Sequence, residues 1–393
     1  MCLGTPAPAN MKASDASLQT KVRKILAVKS GDLGGVLLVT PALEALDKLF
    51  PNAEISVLVR SGAEAMLRNH PLVKRTYTGA KIGPKRSLKM KLAELGEEWK
   101  LLRQLRAEQF DLVVNFSRSD RGAILGWLSG APQRLACSSK PRGVWRKDAL
   151  YTFVSTRRQE GLHQVEKDLF LLSDYAAAAG LPDPARELLA HKGGLRFHTT
   201  AEDRQWADET WRTFYPQRRR RVVVYPTSRY MSRCWSDENM AAMLDQLVRD
   251  SGGCDVLLTT GPARAEIERT ERILRLCRQS VPALLDPTTL GQLAALLEAA
   301  DLFIGVNTGP MHMAAAVGTK VVTIFGQNYE PVWAPWGRGH RVVWRPCRCV
   351  TDKRNRCDGQ DVPDCLKAIT FEEVWQAAQA ALNELTFEAI PRR

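Results

Sequence analysis

Short apolar runs alternate with amphipathic stretches over most of the chain. "KILAVK" (24–29), "AEISVLV" (53–59) and "DLVVNF" (111–116) are mostly apolar and of strand length. Between them, "GGVLLVTPALEALDKLF" (34–50) reads as a helix entered through glycine. "AEAMLRNHP" (63–71) reads as a helix stopped at Pro71, and "KLAELGEEWKLLRQLRAEQF" (91–110) as an amphipathic helix. The rhythm restarts after residue 217. "RVVVYP" (221–226) predicts a strand, "SDENMAAMLDQLVRDSG" (236–252) a helix capped by Ser236, and "CDVLLTTG" (254–261) a strand. Helices follow at 263–278 and 288–299, and then "DLFIGVNTGPMHMAAAVGTKVVTIFG" (301–326) reads as strand, turn, helix and strand. Such alternation predicts an α/β protein of parallel sheets sheathed by helices, in two successive domains. Two open sheets in tandem are expected to form a cleft, with ligands at the carboxyl ends of the strands.

Length agrees with this division, since 393 residues exceed what one compact core serves well. Charge changes the picture more. The formal net charge of +13 calls for an anionic partner, whether nucleic acid, membrane surface or acidic substrate. The basic segment "KIGPKRSLKMKL" (81–92) suits anionic lipid headgroups or a phosphorylated glycolipid, beside the plainer reading of a solvated loop. "QRRRR" (217–221) reads as a solvated linker and not as a nucleic-acid site, because no aromatics that could stack bases are interleaved with it. No run of about 18 apolar residues predicts a membrane span. The first 20 residues lack the apolar core of a secretory signal and read as a disordered tail. The nine cysteines read mostly as free thiols, with Cys137, Cys234, Cys254 and Cys277 in core elements. Cys347, Cys349, Cys357 and Cys365 are numerous enough for a zinc site but lack the usual tight pairs, so packed or free thiols remain the alternative.

Three strand-to-helix turns in the second half carry candidate chemistry. In "YPTSRYMSRCW" (225–235), Thr227 and Ser228 offer hydroxyls while Arg229 and Arg233 offer charge that can grip phosphate. In "TTGPARAE" (259–266), Gly261 permits close backbone approach and Glu266 follows one turn later. In "NTGPMH" (307–312), Asn307, Thr308 and Gly309 open a helix whose N–H groups and dipole favour an anion, with His312 one turn in. Together the three turns suit a nucleotide diphosphate.

Several segments in combination resemble the glycosyltransferases that add heptose to the lipopolysaccharide core. They are "KSGDLGGVLLVTPALEALDKLFPNAEISVLV" (29–59) and the stretch 301–326 followed by "WAPWG" (333–337). "HQVEKDLFLL" (163–172) and "RPCRCVTDKRNRCDGQDVPDCL" (345–366) look most like the heptosyltransferase III branch of family 9. The resemblance spans roughly residues 24–385. It implies a GT-B fold, two Rossmann-like doubly wound domains facing a cleft. It also implies inverting transfer from ADP-heptose, without a catalytic metal ion or other cofactor, to a phosphorylated lipopolysaccharide core acceptor. The setting implied is the cytoplasm, peripheral to the anionic inner face of a Gram-negative inner membrane. Domain boundaries follow as a tail at 1–20, an acceptor domain at 21–195, a linker helix at 196–217, a nucleotide-sugar domain at 218–370, and a final helix at 371–393 packing back toward the acceptor domain.

The family carries Gly-Asp where this chain has Gly34-Gly35, and that Asp is the proposed base. Asp32, three residues before Gly35, is therefore the candidate catalytic carboxylate. Asn307 stands where the family usually has Asp, keeping an acceptor oxygen and adding a donor. Donor contacts are assigned to Thr227, Ser228, Arg233, Gly261, Glu266, Asn307, Thr308, Gly309 and His312, and acceptor contacts to Lys29, Arg118 and Arg121. A transferase using another nucleotide sugar, or an inactive homologue that binds glycolipid or nucleotide as a scaffold, are the competing readings.

Overall fold

The computed structural model describes residues 16–79, 88–138, 147–249, 253–326, 330–346 and 363–385. The chain divides after Arg196 into two compact units.

In the first unit six parallel strands are β1 (Lys24–Lys29), β2 (Glu54–Arg60), β3 (Val73–Gly79), β4 (Leu112–Asn115), β5 (Gln133–Cys137) and β6 (Phe153–Ser155). Their spatial order is β3-β2-β1-β4-β5-β6, so the chain reverses its direction of winding between β1 and β4. β1 pairs with both neighbours, Leu26 opposite Ser56 on β2 and Val113 on β4. Leu26, Val28, Leu58, Tyr77 and Val113 bury one sheet face against Leu101, Leu102 and Leu105 of the helix Leu88–Glu108 and Leu125 of the helix Asp120–Leu128. The helix expected at 63–71 is only a short 3-10 turn, Glu64–Leu67, and its downstream residues form β3. The turn ends at Leu67, ahead of the expected stop at Pro71, and the strand beyond carries no apolar run because "VKRTYTG" is polar and lies at the sheet edge, where one face stays wet.

The second unit repeats the plan with β7 (Arg220–Tyr225), β8 (Cys254–Thr259), β9 (Ala283–Leu284), β10 (Leu302–Val306), β11 (Lys320–Phe325) and β12 (Arg341–Trp344). The order β12-β11-β10-β7-β8-β9 places the reversal between β7 and β10. Alternate residues of the strands face one core: Val222 and Val224, Val256 and Leu258, Leu302, Ile304 and Val306, and Val322 and Ile324. Met240, Met243, Leu244 and Leu247 of the helix Asp237–Arg249 cover them, and Ser236 caps that helix through the Asn239 N–H at 3.2 Å.

Three boundaries differ from expectation. The tail expected at 1–20 is already helical at Ala16–Lys21, where Gln19 Nε2 donates to Leu49 O at 2.8 Å. The helix Ala201–Phe214 is no linker: Trp211 is fully buried beneath the Arg221 guanidinium, and the helix packs on Leu290–Glu298 of the second unit. The last helix, Phe371–Asn383, was expected to pack toward the first domain. It instead buries Val374, Ala378, Ala381 and Leu382 in the second unit's core. Burying the valine and leucine alone stabilises that position by about 1.5–3 kcal/mol each, and the buried Trp235 indole N–H donates to Ile369 O just ahead of the helix. Cys365 also enters this core, while Cys347, Cys349 and Cys357 lie outside the described residues, as does the basic stretch 81–87. Cys137, Cys234 and Cys254 are buried and Cys277 is half-buried, all as free thiols.

The tightest point of the second sheet is Gly305, in β10 between β7 and β11. A Cβ there would lie 2.7 Å from the Phe303 ring and 2.7 Å from the Tyr225 carbonyl oxygen. Because one neighbour is backbone, Gly305→Ala is expected to destabilise the second unit by about 1–3 kcal/mol, read as a lower urea midpoint with an unchanged slope.

Candidate functional site

The strands flanking each reversal are buried on both faces, so their polar groups collect in the turns just after them. In the second unit the turns after β7, β8 and β10 adjoin, because those strands are neighbours. Thr227 and Ser228 follow β7, Thr260 and Gly261 follow β8, and Asn307 and Thr308 follow β10; Thr227, Ser228, Thr260 and Asn307 are all buried. The hydroxyls of Thr227 and Thr260 are 3.1 Å apart, and the Thr227 hydroxyl donates to Glu266 Oε1 at 3.4 Å. Gly261 matters for a reason the sequence did not disclose. A Cβ there would collide with both carboxylate oxygens of Glu266, so glycine makes room for that side chain. Glu266 is buried in the first turn of the helix Arg264–Leu276, and burial raises its carboxyl above the usual range against the pull of the Thr227 hydroxyl.

Arg229 and Arg233 both stand over the Tyr230 ring, at 5.3 and 4.5 Å from its centroid. The exposed ring thereby presents two guanidinium groups beside the buried hydroxyls. Thr308 precedes the helix Gly309–Ala316, has extended backbone and does not cap the helix with its side chain; Pro310 occupies the first turn. His312 is buried one turn in, its ring 6.4 Å from that of Trp333, and Trp336 is buried as a brace. Hydroxyls, a carboxylate, two guanidinium groups and a helix start thus converge around one reversal, a set suited to a hydroxyl-rich anion.

In the first unit the turn after β1 carries Asp32 at the N-cap of the short helix Leu33–Leu37, without a side-chain capping bond. Its Oδ1 accepts from Arg60 Nη1 at 3.3 Å, and both side chains are more than half exposed. An exposed pair of this kind contributes about 0–1 kcal/mol. A Cβ built on Gly35 meets nothing within 4 Å, so the position has room for a side chain.

The three residues assigned to the acceptor are treated differently by the fold. Lys29, at the end of β1, is buried and ion-paired with buried Asp168 of the helix Gln164–Ala179. Arg121 makes a two-pronged bond to Glu98, Nε to Oε2 at 3.0 Å and Nη2 to Oε1 at 2.8 Å. That guanidinium occupies the space a Cβ at Gly79 would need, so Arg121 clamps two helices across the end of β3. Arg118 is the exposed member of the three. It has a left-handed backbone (φ 56°), uncommon for a non-glycine residue. Buried Lys147 holds it there, donating to Arg118 O and Asp120 Oδ1, both at 2.8 Å, and Arg118 Nη1 donates to Gln159 Oε1 at 3.0 Å. Half-buried Lys167 completes the group; burial first, then the charge of Arg118, lowers its pKa. Lys29 and Lys167 act on Asp168, Arg118 acts on Lys167, and Glu166 is the further carboxylate near Lys167, a group of cations that suits a phosphorylated ligand. Lys147, Gln159 and Lys167 were not singled out from sequence. "HQVEKDLF" alone held a clue, in adjacent Lys167 and Asp168 at the start of a helix.

All-parallel sheets of this order, one of them edged by hydroxyls, arginines and a helix start, define a GT-B fold. Residues 98–362, roughly two thirds of the chain, match the family glycosyltransferase family 9 (heptosyltransferase), and the chain belongs to that family. It is 28% identical over 368 residues to lipopolysaccharide heptosyltransferase 3 of Escherichia coli K12, an alignment covering 89% of this chain and 96% of that protein. Among solved structures it is similar to a family 9 glycosyl transferase from Veillonella parvula (TM-score 0.73, 19% identity, 92% of this chain and 97% of the other). It is also similar to the ADP-heptose LPS heptosyltransferase II of E. coli (TM-score 0.70, 20% identity, 92% and 99%). The protein is therefore a glycosyltransferase.

Burial pushes the Asp168 carboxyl up to about 6, with Lys29 holding it down. Its folded form keeps a proton that the unfolded chain, with a carboxyl near 3.9, has released. The stability this proton confers is present at low pH, fades from about pH 4 to 6, and is level above. Lys29→Met removes the opposing charge and moves the folded value higher. The expected outcome is an unfolding free energy that keeps falling between pH 6 and 8 in the variant, but not through this group in the parent, measured by urea titration at both pH values.

Proposed function

We propose that the protein transfers heptose from ADP-heptose to a phosphorylated inner-core acceptor of lipopolysaccharide, by a single inverting displacement. The observation that carries the reading is the convergence of Thr227, Ser228, Glu266, Arg233 and the helix start at Gly309 around the second unit's reversal, in a chain of the heptosyltransferase family. The names of its relatives supply the donor and the acceptor. Arg233 and the Gly309 helix start would neutralise the departing diphosphate, the electrostatic task that usually contributes most. Glu266 and Asn307 would accept from hydroxyls of the nucleotide sugar, with Thr308 and His312 lining the same place. In the first unit Arg118 and Lys167 would hold the acceptor's phosphate, and Asp32 would take the proton of its attacking hydroxyl. Lys29 and Arg121 support these groups from within the fold. An enzyme of this substrate works in the bacterial cytoplasm against the inner leaflet; among the described residues no helix is long and apolar enough to cross a membrane.

A second reading has one observation in its favour: the family's carboxylate is replaced by Gly35, where the space for a side chain stands open. On that reading the chain binds nucleotide and glycolipid without transferring sugar.

Two experiments test these readings. ADP should raise the melting temperature more than UDP or GDP at equal concentration, by several degrees at about a hundredfold excess over its dissociation constant; a larger shift with UDP or GDP rejects ADP-heptose as donor. Asp32→Asn should lower the transfer rate by about 100-fold to 10,000-fold and leave ADP binding unchanged. If the parent transfers nothing and Gly35→Asp switches transfer on, the scaffold reading holds.

A further inference from the structure

Four large apolar side chains stand exposed on two touching helices of the first unit. Leu95 and Trp99 on Leu88–Glu108 are 57% and 66% exposed, and Ile124 and Trp127 on Asp120–Leu128 are 46% and 51%. The helices are locked together by the Arg121–Glu98 clamp, with Glu98 adjacent to Trp99 and Arg121 one turn before Ile124. Each exposed pair follows helical spacing, three or four residues apart, so each forms a short stripe. Large apolar stripes left in water on neighbouring elements mark an interaction surface.

The sequence of the longer helix says what kind. Positions 88, 92, 95, 99, 103 and 106 succeed one another at steps of three or four, a single row along the helix. Its residues are Leu88, Leu92, Leu95, Trp99, Arg103 and Arg106: apolar, then cationic, with no carboxylate. The glutamates at 94, 97 and 98 fall off that row. Arg103 and Arg106 are exposed. From 88 to 106 the helix carries five Lys or Arg against three Glu. Apolar residues with tryptophan on one row, flanked by arginines, are what a helix lying in an anionic membrane interface requires. The row on the shorter helix, Asp120, Ile124 and Trp127, carries one carboxylate, and that one is paired with Lys147.

We propose that this face docks on an anionic lipid bilayer. Leu95, Trp99, Ile124 and Trp127 enter the headgroup boundary, and Arg103 and Arg106 pair with lipid phosphates. The proposal deepens the glycolipid-acceptor reading and rests on it for its biological sense, since docking would hold the first unit at the surface where a lipid-anchored acceptor resides.

The probe is a set of vesicles of phosphatidylethanolamine with phosphatidylglycerol, compared with phosphatidylcholine alone. The full chain should co-float with the anionic vesicles at low salt, and brominated acyl chains should quench its tryptophan fluorescence. Trp99→Ser with Trp127→Ser should abolish that quenching and most of the binding. Arg103→Gln with Arg106→Gln should weaken binding by about fivefold per arginine and flatten its salt dependence. Melting temperatures close to the parent's confirm that both variants are folded. Transfer to a detergent-dispersed acceptor should be equal in parent and variants, which separates docking from catalysis: a parent that floats but transfers nothing overturns the proposed function and leaves docking intact. Binding equal in parent and variants, or absent from the parent, overturns docking. A tryptophan variant that lowers the oligomeric state without lipid also overturns it, and assigns the face to a second copy of the chain.

Discussion

Burying a parallel strand on both faces removes it from chemistry. β1 and β10 are apolar and enclosed almost end to end, and that enclosure holds each sheet together. Polar groups can then appear only where a strand stops. With both sheets wound in the same order, the stops that adjoin are those beside the reversal, β1 with β4 and β7 with β10. Much of what reads as function in this protein is a consequence: the turns after those strands, joined by groups that follow β6 and β8, hold the hydroxyls, cations and carboxylates, and the rest of each sheet keeps them in register.

The two reversals solve different electrostatic problems. At the second, Glu266 is the buried carboxylate; it is supported by a threonine hydroxyl, and the arginines near it lie on an exposed tyrosine, where they stay hydrated. A ligand phosphate can recruit those arginines at little desolvation cost. At the first, charge is sunk deeper. Lys29 and Asp168 are both buried and neutralise one another, an arrangement whose value is mutual: removing either leaves an uncompensated charge costing about 3–5 kcal/mol. Lys29 is therefore committed to the fold, and on the proposed function the outer cations Arg118 and Lys167 would be the ones to meet a ligand.

Most of the fold was legible along the chain because its periods are strong. Apolar runs marked β1, β4, β7, β8, β10 and β11, and the three turns of the second unit were found because glycine, threonine and asparagine cluster immediately after them. What sequence could not disclose was pairing across distance. Lys29 and Asp168 are 139 positions apart, and Arg121 reaches Glu98 on another helix. An arginine after a strand looks the same whether it awaits a phosphate or clamps two helices; only Gly79, whose missing side chain admits the guanidinium, betrays the difference, and only in three dimensions. The last helix misled for a similar reason. Its apolar stripe specifies that it packs, but nothing in it names the sheet it packs on. The polar edge strand β3 carried no apolar run to be seen.

The same magnitudes rank the carboxylates at the first reversal as bases. Asp168, with a carboxyl near 6, has the proton affinity best suited to general-base work near neutral pH. Yet it is enclosed and bound to Lys29, and freeing it would expose a buried lysine to the full cost of losing its partner. Asp120 is more accessible, but it anchors Lys147, which in turn holds Arg118 in its left-handed conformation. Moving it would release Arg118, the residue proposed to grip an acceptor phosphate. Asp32 is the most exposed of the three, and its pair with Arg60 is worth about 1 kcal/mol at most. It also sits in the turn that holds Gly31 and Gly35, so little side-chain bulk stands between it and the unfilled space at position 35. On the proposed function, the exposure of Asp32 is what favours it over the other two as the carboxylate that would meet a substrate hydroxyl.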